Sequence, residues 1–192
     1  MSVLSPALLG TVGLVLVAAS AGHLRSPGAL RDGLRAHGVL PGTVHGPVAR
    51  VLGPVEALLG GAALVTALTG APPGVTLAVS MPSALLLLLL TGYLWQVLRV
   101  TAGRVVPCAC GLGDAPVSPS AVLRGGILAV LAVVGGTTAA GWSLTTAPAR
   151  EVFVTLAAMV VLALAAALLP AARAVPEAAL LASGPHDHGG HR

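Results

Sequence analysis

The sequence has very little charge and no lysine. Only 8% of its 192 residues are charged, and its ten basic residues other than histidine are all arginine. Soluble domains usually carry about 25% charged residues, which keep their surfaces dispersed in water. Here 56% of the residues are hydrophobic. The composition therefore indicates an integral membrane protein associated with the lipid bilayer.

Other absences narrow the function. Aromatic residues make up 2% of the chain, and the net charge of +4 is not arranged as a basic stripe, so the sequence does not indicate a nucleic-acid-binding protein. No phosphate-binding glycine loop, nucleophile elbow, paired-carboxylate motif or dinucleotide fingerprint occurs. These absences argue against the common chemistries of soluble enzymes.

Long apolar runs, in contrast, are abundant. A helix needs roughly 20 apolar residues to cross ~30 Å of hydrocarbon. Five segments reach that length, at about 3–21, 48–68, 75–98, 121–140 and 152–169. Pro170 is expected to end the last one, because proline lacks the helical N–H donor. Since backbone polar groups in lipid must pair within each span, we predict an all-α polytopic integral membrane bundle of about five transmembrane helices.

The segment after the first span is expected to lie at the membrane surface. Residues 29–37 are predicted to form a short helix, since Leu30 and Leu34 are four residues apart beside charged neighbours. The first span itself ends in Ala19-Ser20-Ala21, which resembles a signal-peptide cleavage site. No basic residue precedes that span, so we interpret it as a retained helix.

The arginines predict an orientation in the plasma membrane. One group of flanking arginines belongs to the first loop, the third loop and the end of the fifth span: Arg25, Arg31, Arg35, Arg50, Arg99, Arg104, Arg124 and Arg173. Arg150 lies on the other side. The positive-inside rule then places the N-terminus outside and the third loop and C-terminus in the cytoplasm. Whatever the orientation, two spans separate residues 23–46 from 101–118, so both loops are expected on one membrane face.

The two cysteines of the chain are separated by a single residue. Cys108 and Cys110 flank Ala109 in the third loop, with Pro107 and Gly111 as turn-forming neighbours. A disulfide across so short a ring is strained and exchanges readily, which suits a redox pair. Nearby Arg104 is expected to favour a thiolate. Two alternatives stay open: inert loop residues, or two ligands of a metal site completed by histidines of the first loop. We predict no metal.

Three further residues, Glu56, His23 and Arg25, are candidates for proton transfer or for tuning the thiols. Glu56 lies about two turns inside the second span, where a carboxylate is costly unless it is paired or faces a polar cavity. It is either a functional group or a structural partner of Arg50, His23 or Arg99. His23 and Arg25 end the first span on the side of the first loop, and His23 titrates near neutral pH. An interfacial role for His23 is the alternative. His37 and His45 are assigned no role.

The chain is predicted to consist of two parts. Residues 1–174 form the transmembrane domain, and residues 175–192 form a polar tail that contains His186, His188 and His191. Terminal segments of this composition are usually disordered. The tail is therefore interpreted as a solvated end without a site.

Four short segments together resemble a known family. They are residues 21–27 (AGHLRSP), 37–41 (HGVLP), 54–56 (PVE) and 107–111 (PCACG). In this order, over roughly the first 140 residues, they resemble the MauE/DoxX group of redox-associated membrane proteins. That group usually has a glycine between the two cysteines, where this chain has Ala109, and an aromatic residue soon after, where this chain has Leu112.

The resemblance carries expectations about fold and function. It implies a four-helix core with one added helix, and a thiol–disulfide redox protein that supports disulfide formation or electron transfer for the maturation of a partner protein, as in methylamine utilisation. Cys108 and Cys110 would be the redox pair, with Glu56, His23 and Arg25 tuning it or relaying protons. No cofactor is evident from the residues themselves; the resemblance implies a quinone as a candidate, and a thioredoxin-like or other redox partner protein is expected. The alternative is a non-catalytic membrane scaffold or assembly factor whose cysteines are incidental.

Overall fold

The structure is a computed structural model that describes residues 3–102, 104–112 and 116–182. Within these residues it consists of six helices, and its only extended pairing is an isolated bridge between Pro107 and Pro116. The helices are α1 (Leu4–Arg25), α2 (Pro27–His37), α3 (Gly42–Thr69), α4 (Pro73–Thr101), α5 (Pro119–Thr137) and α6 (Ala149–Ala182). All except α2 are long and apolar enough to span a membrane. The predicted all-α bundle of five transmembrane helices is confirmed.

Two boundaries differ from expectation. The second span was predicted from residue 48, but α3 begins at Gly42, so α2 and α3 leave only a short connection in the first loop. Pro170 was expected to end the fifth span, and the apolar span does end at Leu169, but the helix does not stop there: α6 continues through Pro170 to Ala182. Proline is tolerated inside membrane helices, and α3 and α4 also contain internal prolines. Of the predicted tail, residues 183–192 lie outside the described residues.

Helix α1 occupies the centre of the bundle. It packs most extensively against α3 and also contacts α5 and α6. Gly13 of α1 and Gly60 of α3 meet backbone to backbone, because a Cβ added to either would lie 2.9 Å from the carbonyl oxygen of the other. Small residues allow such close helix approach in lipid, where apolar side chains gain little from leaving the bilayer. The end of α1 is thereby fixed relative to α3.

The loop between α4 and α5, hereafter the cysteine loop, is described at residues 102, 104–112 and 116–118, and these residues fold back on the same end of the bundle as α2. The Val117 N–H donates to the Val106 carbonyl at 2.9 Å and closes the loop at its base. A Cβ added to Gly22, near the end of α1, would collide with the carbonyl oxygen of Gly111. The two loops that were expected on one face are therefore in direct contact.

Candidate functional site

The backbone of the cysteine loop turns sharply around its two thiols. Ala109 has φ +51° and Gly111 has φ +71°, both in the left-handed region. Glycine enters this region freely, whereas an L-residue with a Cβ is disfavoured there by roughly 1–2 kcal/mol. The conformation explains why a glycine suits the position between the cysteines. The methyl group of Ala109 packs against Gly33 of α2, and there is room for it because Gly33 has no Cβ.

The turn brings the two thiols into contact. Cys108 is buried, with 3% of its surface exposed, while Cys110 is partly exposed, and the side chains hydrogen-bond each other. That hydrogen bond, together with burial, raises the pKa of Cys108 far above its ordinary value. The same hydrogen bond lowers the pKa of Cys110 to about 5, with a further contribution from Arg124. These opposite shifts favour loss of the proton from Cys110 before Cys108.

Arg124 is the cation that faces this thiolate. Its side chain is 94% buried in the first turns of α5 and hydrogen-bonds Cys110, so a permanent positive charge lies beside the sulfur. Arginine next to a cysteine is one of the arrangements that stabilise a thiolate. The sequence interpretation assigned this effect to Arg104, and that was wrong: Arg104 is exposed and does not contribute to the pKa of either cysteine.

His23 and Glu56 form a buried pair next to the loop. The Nδ1 of His23 lies 2.7 Å from Oε2 of Glu56, and both side chains are almost fully buried. The Nε2 of His23 lies 3.1 Å from the Ala109 carbonyl, which only accepts, so Nε2 carries a hydrogen. Nδ1 and the carboxyl group then share one proton between them. Of the partners considered for Glu56, the structure selects His23.

His37 is hydrogen-bonded to the backbone of the residue before Cys108. Its imidazole is 1% exposed, and its Nε2 donates to the Pro107 carbonyl at 2.7 Å. Its Nδ1 is 2.8 Å from the Tyr93 hydroxyl. Sequence reasoning assigned His37 no role, although Leu30, Leu34 and His37 follow the i, i+4, i+7 spacing of one helix face. That spacing is the signal that identifies His37 as part of the buried face of α2.

Arg25 and His45 lie apart from the thiols. Arg25 is exposed at the end of α1, because two residues after His23 correspond to a rotation of about 200° around the helix. The structure does not bring it into the site. His45 is buried in α3 and its Nε2 donates to the Leu40 carbonyl at 2.9 Å.

A partly open cavity adjoins the partly exposed thiol. A cavity of about 160 Å³ lies between the cysteine loop and helices α1 to α5. Most of its wall is aliphatic, with Leu16, Leu34, Leu87 and Leu128 among the lining residues. Its wall also includes two thiols and three ionisable side chains: Cys108, Cys110, His23, Glu56 and Arg124. A mainly apolar wall with a few convergent polar groups is the usual character of a small-molecule site.

The donor set does not resemble a metal centre. Among the described residues, no three side chains of His, Cys, Asp and Glu are grouped so that they would hold an ion. His23 and His37 each use both ring nitrogens in hydrogen bonds to protein groups. The geometry is instead that of a thiol pair with one activated sulfur, a neighbouring cation and a proton-bearing pair.

Comparison with known proteins identifies the family. No curated protein and no solved structure matches the chain. The model of the family described as "Methylamine utilisation protein MauE" matches residues 1–138, which contain α1 to α5 and therefore four of the five spans and the whole described cysteine loop. The match covers more than half of the chain and bears out the MauE part of the resemblance. The chain therefore belongs to the MauE family of methylamine utilisation proteins and is a multi-pass membrane protein.

Proposed function

We propose that this protein is a thiol–disulfide redox protein of the membrane, in which Cys108 and Cys110 cycle between dithiol and disulfide. The observation that carries the proposal is the asymmetry of the pair. Cys110 is held as a partly exposed thiolate by the Cys108 S–H and by Arg124, while Cys108 stays buried and protonated. The thiolate is the nucleophile in disulfide exchange.

The asymmetry assigns each sulfur a step. The Cys110 thiolate attacks a disulfide of the partner, so that a Cys110–partner S–S bond forms and the second partner sulfur leaves as a thiolate. Cys108 gives its proton to that thiolate and attacks Cys110, so that the Cys108–Cys110 bond forms and the first partner sulfur leaves. Two electrons pass from the pair to the partner. Run in reverse, the same steps form a disulfide in a partner dithiol.

The expected partner is a thioredoxin-like or other thiol protein, and the physiological role is disulfide formation or electron transfer during maturation of a partner protein. The family name supports methylamine utilisation as the setting. We propose that the chemistry is DoxX-like. The proposal also covers the direction of electron flow and the identity of the partner. Cys110 is the point of contact, because Cys108 is too buried for a protein sulfur to reach.

The test is trapping of the mixed disulfide on the full chain. The reduced protein, purified in detergent, is mixed with glutathione disulfide and analysed by mass spectrometry. Cys108→Ser is expected to retain one glutathione on Cys110, because no second thiol can displace it. Cys110→Ser is expected to retain little, and the wild type should end with an internal disulfide and no adduct.

Matched variants separate redox chemistry from a structural role. Serine replaces cysteine with nearly the same shape, and both variants are expected in the membrane fraction at the wild-type amount. Equal capture of glutathione by the two single variants would overturn the assignment of Cys110 as the nucleophile. Full biological function in a Cys108→Ser, Cys110→Ser double variant would instead favour the alternative of a non-catalytic scaffold or assembly factor.

A further inference from the structure

We propose that the cavity beside Cys110 binds the ring of a quinone, which accepts the two electrons released when Cys108 and Cys110 form a disulfide. The inference rests on the proposed redox function of the pair; the resemblance implies a quinone, and the structure adds a binding site for its ring and the residues that would supply its protons. Three observations support it: the size of the cavity, its position relative to lipid, and the proton-bearing pair in its wall.

The size of the cavity fits a six-membered ring. Its volume is about 160 Å³. An apolar cavity of about 150 Å³ in another protein is known to bind benzene. The wall here is mainly aliphatic, which favours an uncharged planar ring over a peptide or a charged metabolite.

The cavity also reaches the lipid-facing side of the bundle. Its lining includes Leu52 of α3 and Leu90 of α4, both within spans and both partly exposed. The preceding residue of α4, Leu89, is 63% exposed and does not line the cavity. A lipid-soluble molecule can therefore enter between these helices while its hydrocarbon tail stays in the bilayer. A water-soluble oxidant does not partition into the bilayer, so entry between α3 and α4 from the lipid does not favour it.

The groups around the cavity supply the protons that a quinone needs. Reduction of a quinone to a quinol takes two electrons and two protons. The two sulfurs supply the electrons as their S–S bond forms. Cys108 supplies one proton, and the proton shared by His23 and Glu56 supplies the other. The Cys110 thiolate charge then reappears on Glu56, beside a neutral His23, until water reprotonates the pair. Atoms, electrons and charge balance without a further co-reactant.

The experiment uses the full chain, reduced and reconstituted in lipid vesicles without oxygen. Decylubiquinone is added, and its reduction is followed by absorbance while free thiols are counted by maleimide mass tagging. The wild type is expected to reduce one quinone for each pair of thiols lost. Leu90→Trp fills the cavity, and we expect its quinone rate, relative to its rate with glutathione disulfide, to fall by about tenfold or more.

Leu89→Trp is the matched control, because it adds the same side chain one residue away on the lipid-facing surface. Its quinone rate is expected to stay within about twofold of the wild type, as for most surface substitutions. A second measurement needs no variant. Decylubiquinol cannot oxidise thiols, yet by occupying the cavity it should slow alkylation of Cys110 by iodoacetamide in a saturable way.

The outcomes distinguish the two proposals. If the wild type exchanges with glutathione disulfide but neither reduces decylubiquinone nor is protected by the quinol, the quinone site is overturned and the thiol redox function stands. Equal loss of quinone reduction in Leu90→Trp and Leu89→Trp would also overturn the cavity as the site. If the thiols react with neither substrate, the proposed function itself fails.

Discussion

The buried guanidinium group of Arg124 hydrogen-bonds the sulfur of Cys110. The contact arises because α5 begins directly after the cysteine loop, at Pro119, so its first turns pass beneath the loop. Ser118 caps the helix by accepting a hydrogen bond from the Ala121 N–H, which fixes where the first turn begins. In the sequence Arg124 was interpreted as an arginine that flanks a membrane span. In the structure its positive charge lies next to the thiol pair.

Replacing Arg124 by Gln is expected to change the pH dependence of Cys110. Only the thiolate reacts with iodoacetamide, so alkylation of the wild type should rise with pH around a midpoint near 5, the pKa of Cys110. Cys110 is then almost entirely thiolate at neutral pH. Without the guanidinium group the midpoint should move up, toward the ordinary cysteine value of about 8.5. The measurement is the rate of the first alkylation as a function of pH.

Arg104→Gln is the control for this experiment, because Arg104 lies in the same loop but is exposed. Its alkylation profile should match the wild type. A shift in Arg104→Gln as large as in Arg124→Gln would mean that general loop charge, and not the hydrogen bond from Arg124, stabilises the thiolate.

Glu56 offers a test of the buried pair by two substitutions of different hydrogen-bonding ability. In Glu56→Gln the new amide can donate to Nδ1 of His23, so the bond is retained. In Glu56→Leu that nitrogen is left buried without a partner, which typically costs about 1–3 kcal/mol. The free energy of unfolding in mixed detergent should therefore be lower for the leucine variant than for the glutamine variant. Equal stability of the two would contradict a hydrogen-bonded role for the 2.7 Å contact.

Gly33 and Ala109 are expected to be energetically coupled. An alanine at position 33 would bring its Cβ into collision with the Cβ of Ala109. Overpacking of this kind costs about 1–3 kcal/mol. Combining Gly33→Ala with Ala109→Gly removes the obstructing methyl group and the left-handed strain together, so the double variant should regain the lost stability. Thermal unfolding in detergent measures each variant.

Gly28→Ala is the matched control in the same helix, since nothing lies within 4 Å of the added methyl group. It should leave stability unchanged or raise it by up to about 1 kcal/mol through helix propensity. Additive effects of the Gly33 and Ala109 changes would show that α2 does not pack on the cysteine loop in the way described.

The predicted orientation is open to a direct test by labelling. In a background with both native cysteines replaced by serine, single cysteines are introduced at Gly28, on exposed α2, and at Thr146, in the exposed α5–α6 connection. A membrane-impermeant maleimide should label Thr146→Cys in intact cells, and Gly28→Cys only after permeabilisation. The reverse pattern would invert the orientation. Labelling of both from one side would contradict the five-span arrangement.

Hydropathy was sufficient to predict the spans, because a run of about 20 apolar residues rarely forms any structure other than a transmembrane helix. Counting spans was sufficient to place the first loop beside the cysteine loop, and the contact between His23 and the Ala109 carbonyl agrees with that. Roles for Cys108, Cys110, His23 and Glu56 stay predictions.

Arg124 was missed because near a span end an arginine is ordinarily an orientation signal, and its burial depends on how α5 packs. The His37–Tyr93 contact joins two helices, and no sequence spacing within either helix specifies their relative position.

The contacts of the cysteine loop bear on how the proposed redox pair would meet its substrates. Its backbone is tied at Val106, Pro107 and Ala109 by hydrogen bonds to Val117, His37 and His23, and Gly111 abuts the end of α1. Residues 106–111 are therefore held against α1, α2 and the start of α5 at several points, and this argues against a mechanism in which the two thiols move between separate partners. In the proposed redox function the two thiols therefore stay in place, and each electron donor or acceptor has to bind next to Cys110.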